Sequence, residues 1–164
     1  MSFSNDYKKS FLEYDSRYFK DFLSGKRRNL FELYIGVENV TVFEAIIKKI
    51  RKALNSNVKT NIYLDYLTFT VEEGKTMTGF SGKKQRDAIF VLECAGLISS
   101  NYFRVHMGKR LYKVNRFVCV NFDKIQNFIK KYSDFLEVMN IKEKYLYDFG
   151  ELLEEEEWIP PEEK

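Results

Sequence analysis

The segment from Ser81 to Ile98 restricts the fold of this 164-residue chain more than any other. It reads Ser81-Gly-Lys-Lys-Gln-Arg-Asp-Ala-Ile-Phe-Val-Leu-Glu-Cys-Ala-Gly96-Leu-Ile98. Serine is a strong N-cap and glycine suits the left-handed residue that closes a helix, so a helix is predicted from Ser81 to Ala95. On a helical wheel Gln85, Ala88, Ile89 and Leu92 share one side, while Lys83, Asp87, Phe90 and Cys94 lie opposite. From Phe90 onward nearly every side is apolar, which implies a helix held by its C-terminal half with its polar first turns projecting. Leu97 and Ile98 then begin a strand. Tyr102 to Val105 and Arg110 to Val120 are rich in β-branched and aromatic residues and flank a His106-Met107-Gly108-Lys109 turn, so they read as a hairpin.

Upstream, Tyr7, Phe11, Tyr18, Phe19 and Phe22 form an amphipathic helical stripe between Asp6 and Leu23, ended by Gly25, and Leu30 to Ile35 reads as a second, short helix. Thr41 is placed to cap a helix carrying Val42, Phe43, Ile46, Ile47, Ile50 and Leu54. Asn55 to Lys59 reads as a loop, and the periodicity of Asn61 to Leu67 is ambiguous. Asp65 to Glu73 reads as a short helix of poor formers, followed by turn signals from Gly74 to Gly79. Asp123 can open a helix in which Ile125, Phe128, Ile129, Tyr132, Phe135, Leu136 and Met139 recur at spacings of three and four. A further helical stretch from Ile141 to Glu157 precedes Pro160 and Pro161. The expected organisation is an α+β core over 42–122, with an N-terminal helical extension over 1–41 and C-terminal helices with an acidic tail over 123–164.

Charge is distributed more unevenly than the net value of +3 suggests. From Lys75 to Arg116 nine cations face two carboxylates, whereas from Glu143 to Lys164 nine carboxylates face two lysines. No stretch approaches the roughly 18 apolar residues of a membrane span, and the first ten residues are polar, so a soluble, cytoplasmic protein without membrane partners is expected. Cys94 and Cys119 fall in a predicted helix and a predicted strand and read as buried, reduced thiols. With one histidine, His106, neither a structural zinc site nor a catalytic triad finds its residues. Gly74-Lys75-Thr76 lacks the upstream glycine of a phosphate-binding loop, since position 69 is Phe. Gly79-Phe-Ser81-Gly82 has Lys83 where a nucleophile elbow needs glycine. The expectation is therefore a protein without catalysis, cofactor or metal.

A helix fits the major groove of B-DNA and reads base edges with its N-terminal residues. Lys83, Lys84, Gln85 and Arg86 stand there: Arg and Lys suit guanine acceptors, Gln suits adenine, and free amides beside Ser81 can hold a phosphate. A hairpin carrying Arg104, His106, Lys109, Arg110 and Lys113 can lie along the backbone or minor groove. This arrangement resembles the winged helix-turn-helix family, whose members commonly show a small turn, a Ser-led basic helix ending in Leu-x-x-x-Gly-Leu-Ile, and a β-wing. Leu92-Glu-Cys-Ala-Gly96-Leu-Ile98 matches that ending, and the resemblance covers about half the chain. It implies sequence-specific double-stranded DNA binding, as in transcription regulators and in replication or accessory proteins of plasmids and phages. The other reading is a non-catalytic protein-interaction module on the same scaffold. The stripe of Ile125, Phe128, Ile129, Tyr132, Phe135 and Leu136 packs into its own domain or pairs two protomers. The acidic tail is a solvated end or a cover for the basic face.

Overall fold

The computed structural model describes residues 2–55 and 61–153, with side chains as far as 141. The chain divides into two compact units, Met1–Phe128 and Ile129–Lys164. The first opens with α1 (Asn5–Tyr14), a π-helical turn (Asp15–Phe19) and α2 (Lys20–Phe22). Its buried positions Tyr7, Phe11, Asp15 and Phe19 repeat strictly every fourth residue, which in a regular helix drifts about 40° per step. The wider π turn absorbs that drift and keeps the stripe on one face. It also turns Asp15 inward, where its carboxylate accepts bidentate bonds from Arg51 Nε and Nη2 at 2.8 and 2.5 Å. Ser4 caps α1 by accepting the Tyr7 N–H.

Gly25 does not end that stripe; at φ +55° it opens α3 (Gly25–Ile35). Helix α4 (Val37–Asn55) follows after Gly36 and supplies the centre of the core, with Val40, Val42, Phe43, Ile46, Ile47 and Ile50 fully buried. Thr41 is therefore not an N-cap: it lies inside α4 and its hydroxyl donates back to the Val37 carbonyl. The division anticipated between residues 41 and 42 thus falls within a helix. The Phe43 ring meets those of Phe19 and Phe31 edge-on at 5.5 and 5.9 Å, joining the N-terminal helices to α4. Much of the aromatic content fills this core.

The ambiguous segment is a tight hairpin of β1 (Ile62–Tyr63) and β2 (Tyr66–Thr68). Leu64 and Asp65 both take positive φ, as a two-residue hairpin turn requires. The Asp65 carboxylate fixes this turn by accepting from the Ser4 N–H and hydroxyl, both at 2.7 Å. The next helix lies later than anticipated: α5 spans Val71–Thr78, and Gly74 sits inside it rather than in a turn. Thr70 and Glu73 form a reciprocal capping box that overrides the weak propensity of the segment. Lys49 of α4 ion-pairs with Glu73 and donates to the Thr68 carbonyl, holding that cap against the core.

Helix α6 (Gly82–Cys94) is capped by Ser81, whose Oγ accepts the Lys84 N–H. Gly96 then reverses the chain at φ +82°; a Cβ there would also stand 3.2 Å from the Lys124 side chain. Strands β3 (Ile98–His106) and β4 (Tyr112–Val120) pair along their whole length. The four strands form one antiparallel sheet in the order β1-β2-β4-β3. Tyr7 reaches across to accept the Val120 N–H at 3.1 Å, tying α1 to the sheet.

Helix α7 (Ile125–Leu153) is capped through Asn121, which accepts the Lys124 N–H, not through Asp123. Ile125 and Phe128 are buried in the first unit, where Phe128 meets Phe31 and Tyr34, so these two positions are core and not free for a dimer seam. In the second unit the Tyr132 and Phe135 rings stack at 6.2 Å. The acidic run from Glu154 and most of the Asn55–Lys59 loop lie outside the described residues.

Neither cysteine matches the expectation of a fully buried thiol: Cys94 is exposed, because it stands on the outer face of α6, and Cys119 is intermediate. Burial pushes the Cys119 thiol up to about 11, which leaves roughly one thiolate per thousand at pH 8. Iodoacetamide at that pH is expected to alkylate Cys94 at least about tenfold faster than Cys119 in the native protein. Equal rates by mass spectrometry would contradict the placement.

Candidate nucleic-acid interface

The wheel of α6 separates into two faces as the sequence anticipates. Gln85, Ala88, Ile89 and Leu92 are buried, while Lys83, Arg86, Asp87 and Phe90 are exposed. One expectation fails on this point. Gln85 cannot read a base, because its side chain is wholly buried and its Nε2 donates to the carbonyls of Val71 and Phe80, both at 3.0 Å. Its Oε1 accepts from Arg116 Nη2 at 2.8 Å. A second expectation also changes: Phe90, read as the start of the packing half, is 68% exposed in the middle of the outer face.

The two flanking lysines differ. Lys83 has no ion-pair partner among the described residues, whereas Lys84 pairs with Glu38 at 3.0 Å and lies over the Phe80 ring. A shallow cleft at this end of α6 is lined by Glu38, Phe80, Ser81, Lys83, Lys84 and Asp87. Its two carboxylates work against a phosphate at the helix N-terminus. Cationic character therefore concentrates further along, at Arg86.

The hairpin stands in a defined relation to α6. Side chains at Ser100, Tyr102, Arg104 and His106 alternate onto one face of β3, which they share with their β4 partners Val118, Arg116, Val114 and Tyr112. Ser100 Oγ donates to Glu93 of α6, and Arg116 reaches Gln85 of α6, so this face turns toward the helix. Arg104 and His106 thus lie on the hairpin face that turns toward α6. The His106 ring meets Tyr112 edge-on at 5.2 Å. Lys113, opposite Val105, belongs to the other face, where Phe103 packs against Tyr63, Tyr66 and Phe117. Lys109 and Arg110 occupy the turn itself, and both are exposed.

Arg116 has a role that sequence counting does not separate from the surface cations. It is 4% exposed, donates through Nε to the Phe69 carbonyl at 2.8 Å, and lies over the Phe69 ring. Burial draws its guanidinium below the ordinary value, and neighbouring Arg86 acts in the same direction. It fastens β4 to the start of α5 and, through Gln85, to α6. Tyr102, Tyr112 and Val114 are exposed on the same face, each about 60% accessible. Period-two alternation marks Tyr102 beside Arg104, but the partner register that adds Tyr112 and Val114 depends on pairing across the turn.

Among the described residues, Lys83, Arg86, Arg104, Lys109, Arg110 and Lys113 make no ion pair. The described residues contain no cluster of metal-ligating side chains, and no helix is long and apolar enough to cross a membrane. No family model, curated protein or solved structure matches this chain.

Proposed function

We propose that the chain is a winged helix-turn-helix protein that binds duplex DNA at specific sites and does so without catalysis. The observation that carries this reading is a set of exposed cations without ion-pair partners among the described residues: Lys83 and Arg86 on the outer face of α6, and Arg104 on the hairpin face that turns toward that helix. The order α4, β1, β2, α5, α6, β3, β4, with a three-residue turn between α5 and α6, supports the fold assignment. An exposed helix of about 10–12 Å diameter matches the major groove, and flanking cations supply the sequence-independent share of affinity. In this reading Arg86 is the principal base-reading candidate, Lys83 and the hairpin cations contact phosphates, and Ser81 serves first as a cap. A regulator and a replication or DNA-processing accessory factor share this chemistry.

Exposed Phe90 favours a second reading, a protein-docking surface, since aromatic side chains anchor interfaces. Selection of bound duplexes from a random pool separates the two. An enriched motif, weakened by Arg86→Ala more than random DNA is, is the expected result. Absence of retention and enrichment at low salt would leave the docking reading.

A further inference from the structure

The hairpin ends in an apolar pair that its own fold does not use. Met107 and Leu111 are 58% and 67% exposed. They are joined across the turn by the Met107 N–H donating to the Leu111 carbonyl at 2.8 Å. Gly108 and Arg110, at φ +113° and +66°, keep the turn tight between them. Resting on the DNA-binding reading above, we propose that this tip enters the minor groove, where Met107 and Leu111 wedge against base steps and bend the duplex.

Three observations favour that occupant. Lys109 and Arg110 lie within the turn, and Arg104 and Lys113 follow on the strands, all without ion-pair partners among the described residues. An apolar point inside a cationic collar matches the minor groove, which combines strongly negative potential with base edges that apolar side chains can unstack. The reach also fits. Strand β2 pairs with β4 at Leu67↔Val118 and Thr68↔Phe117, and the Phe69 N–H donates to the Arg116 carbonyl, so the hairpin backbone is two-stranded only from Phe103↔Asn115 onward. The five steps from Tyr102 to Met107 advance about 17 Å, close to the half-turn of about 17 Å that separates a major groove from the next minor groove. Finally, the ribbon leaves the sheet beside α6, with its Arg104 face turned toward that helix, so a helix seated in the major groove directs the tip along the duplex. The same tip chemistry suits anionic lipid, but two apolar side chains offer little insertion, and Lys83 and Arg86 of α6, without ion-pair partners among the described residues, carry further charge away from the tip.

The test uses the whole chain and a 30-base-pair duplex with central pyrimidine–purine steps, labelled at its ends for energy transfer, with binding followed separately by anisotropy. The wild-type protein is expected to raise transfer efficiency by the amount corresponding to a bend of about 40° or more. Met107→Ser/Leu111→Ser is expected to bind within about threefold of wild type while losing that bend, because the cations remain. Salt-sensitive binding by wild type with no change in transfer, or an equal bend by the double variant, would overturn the wedge and leave DNA binding standing. No binding by wild type would remove both. Tip-dependent binding to phosphatidylserine vesicles with an unaltered DNA bend would also overturn it, and would assign the tip to lipid.

Discussion

Combined replacement of Lys83, Arg86 and Arg104 by alanine is expected to weaken duplex binding by at least a hundredfold at about 0.1 M salt, while the thermal midpoint stays within about 2 °C of wild type. Each of these side chains is exposed and lacks an ion-pair partner among the described residues, so its removal breaks nothing in the fold. Each phosphate or base contact is worth about 1 kcal/mol or more, and three together give roughly two decades or beyond. Lys84→Ala provides the comparison. Its ammonium is already held by Glu38, so its loss should cost several-fold less than Arg86→Ala. Anisotropy with a labelled duplex reads both effects, and unchanged affinity in the triple variant would place the interface elsewhere.

The second large effect is on stability. Gly74 lies against the buried Gln85 amide, where a Cβ would stand 2.0 Å from Oε1 and 2.6 Å from Cδ. That amide is the far end of a flexible chain, but it is not free to move: it is held by Val71, Phe80 and Arg116. Gly74→Ala must therefore break a buried hydrogen bond to relieve the clash, at a cost of about 2–4 kcal/mol. A thermal midpoint lowered by roughly 5–15 °C is expected from circular dichroism. Gly79→Ala isolates the backbone contribution, because Gly79 takes φ +76° with nothing within 4 Å of its Cβ position. That variant should lose only about 1 kcal/mol. A Gly74→Ala protein as stable as wild type would show that the Gln85–Arg116 bond does not hold the α5–α6 turn.

The same network explains which parts of the molecule are readable from the chain alone. The two faces of α6, its Ser81 cap, the closing Gly96 and the β3–β4 hairpin all rest on short-range signals: periodicity, a hydroxyl beside free amides, a left-handed residue, alternating β-branched side chains. They are legible for that reason. Gln85 shares a wheel face with Ala88, Ile89 and Leu92, which marks it as inward, yet its chemistry resembles a base reader. Its burial rests on partners that the wheel does not show: the Val71 and Phe80 carbonyls and Arg116, 31 residues away in sequence. Gly74 has the local character of a turn but lies in the helix that the Thr70–Glu73 capping box starts, where the Gln85 amide packs too closely for any Cβ. Thr41 has the chemistry of a cap, but Gly36 supplies an earlier break and α4 starts at Val37. The hairpin cations are visible in the sequence; their division between an α6-facing side and an opposite side requires the strand register.

The most direct measurement of the central claim is the affinity of the intact protein for a mixed-sequence duplex between 50 and 200 mM salt. Six cations on α6 and the hairpin, without ion-pair partners among the described residues, predict that the logarithm of the binding constant falls linearly with the logarithm of salt, with a slope of about −5. Removing Lys83, Arg86 and Arg104 should bring the slope near −2 to −3. A slope near zero, or one that the triple variant leaves unchanged, would contradict the assignment of this surface to DNA.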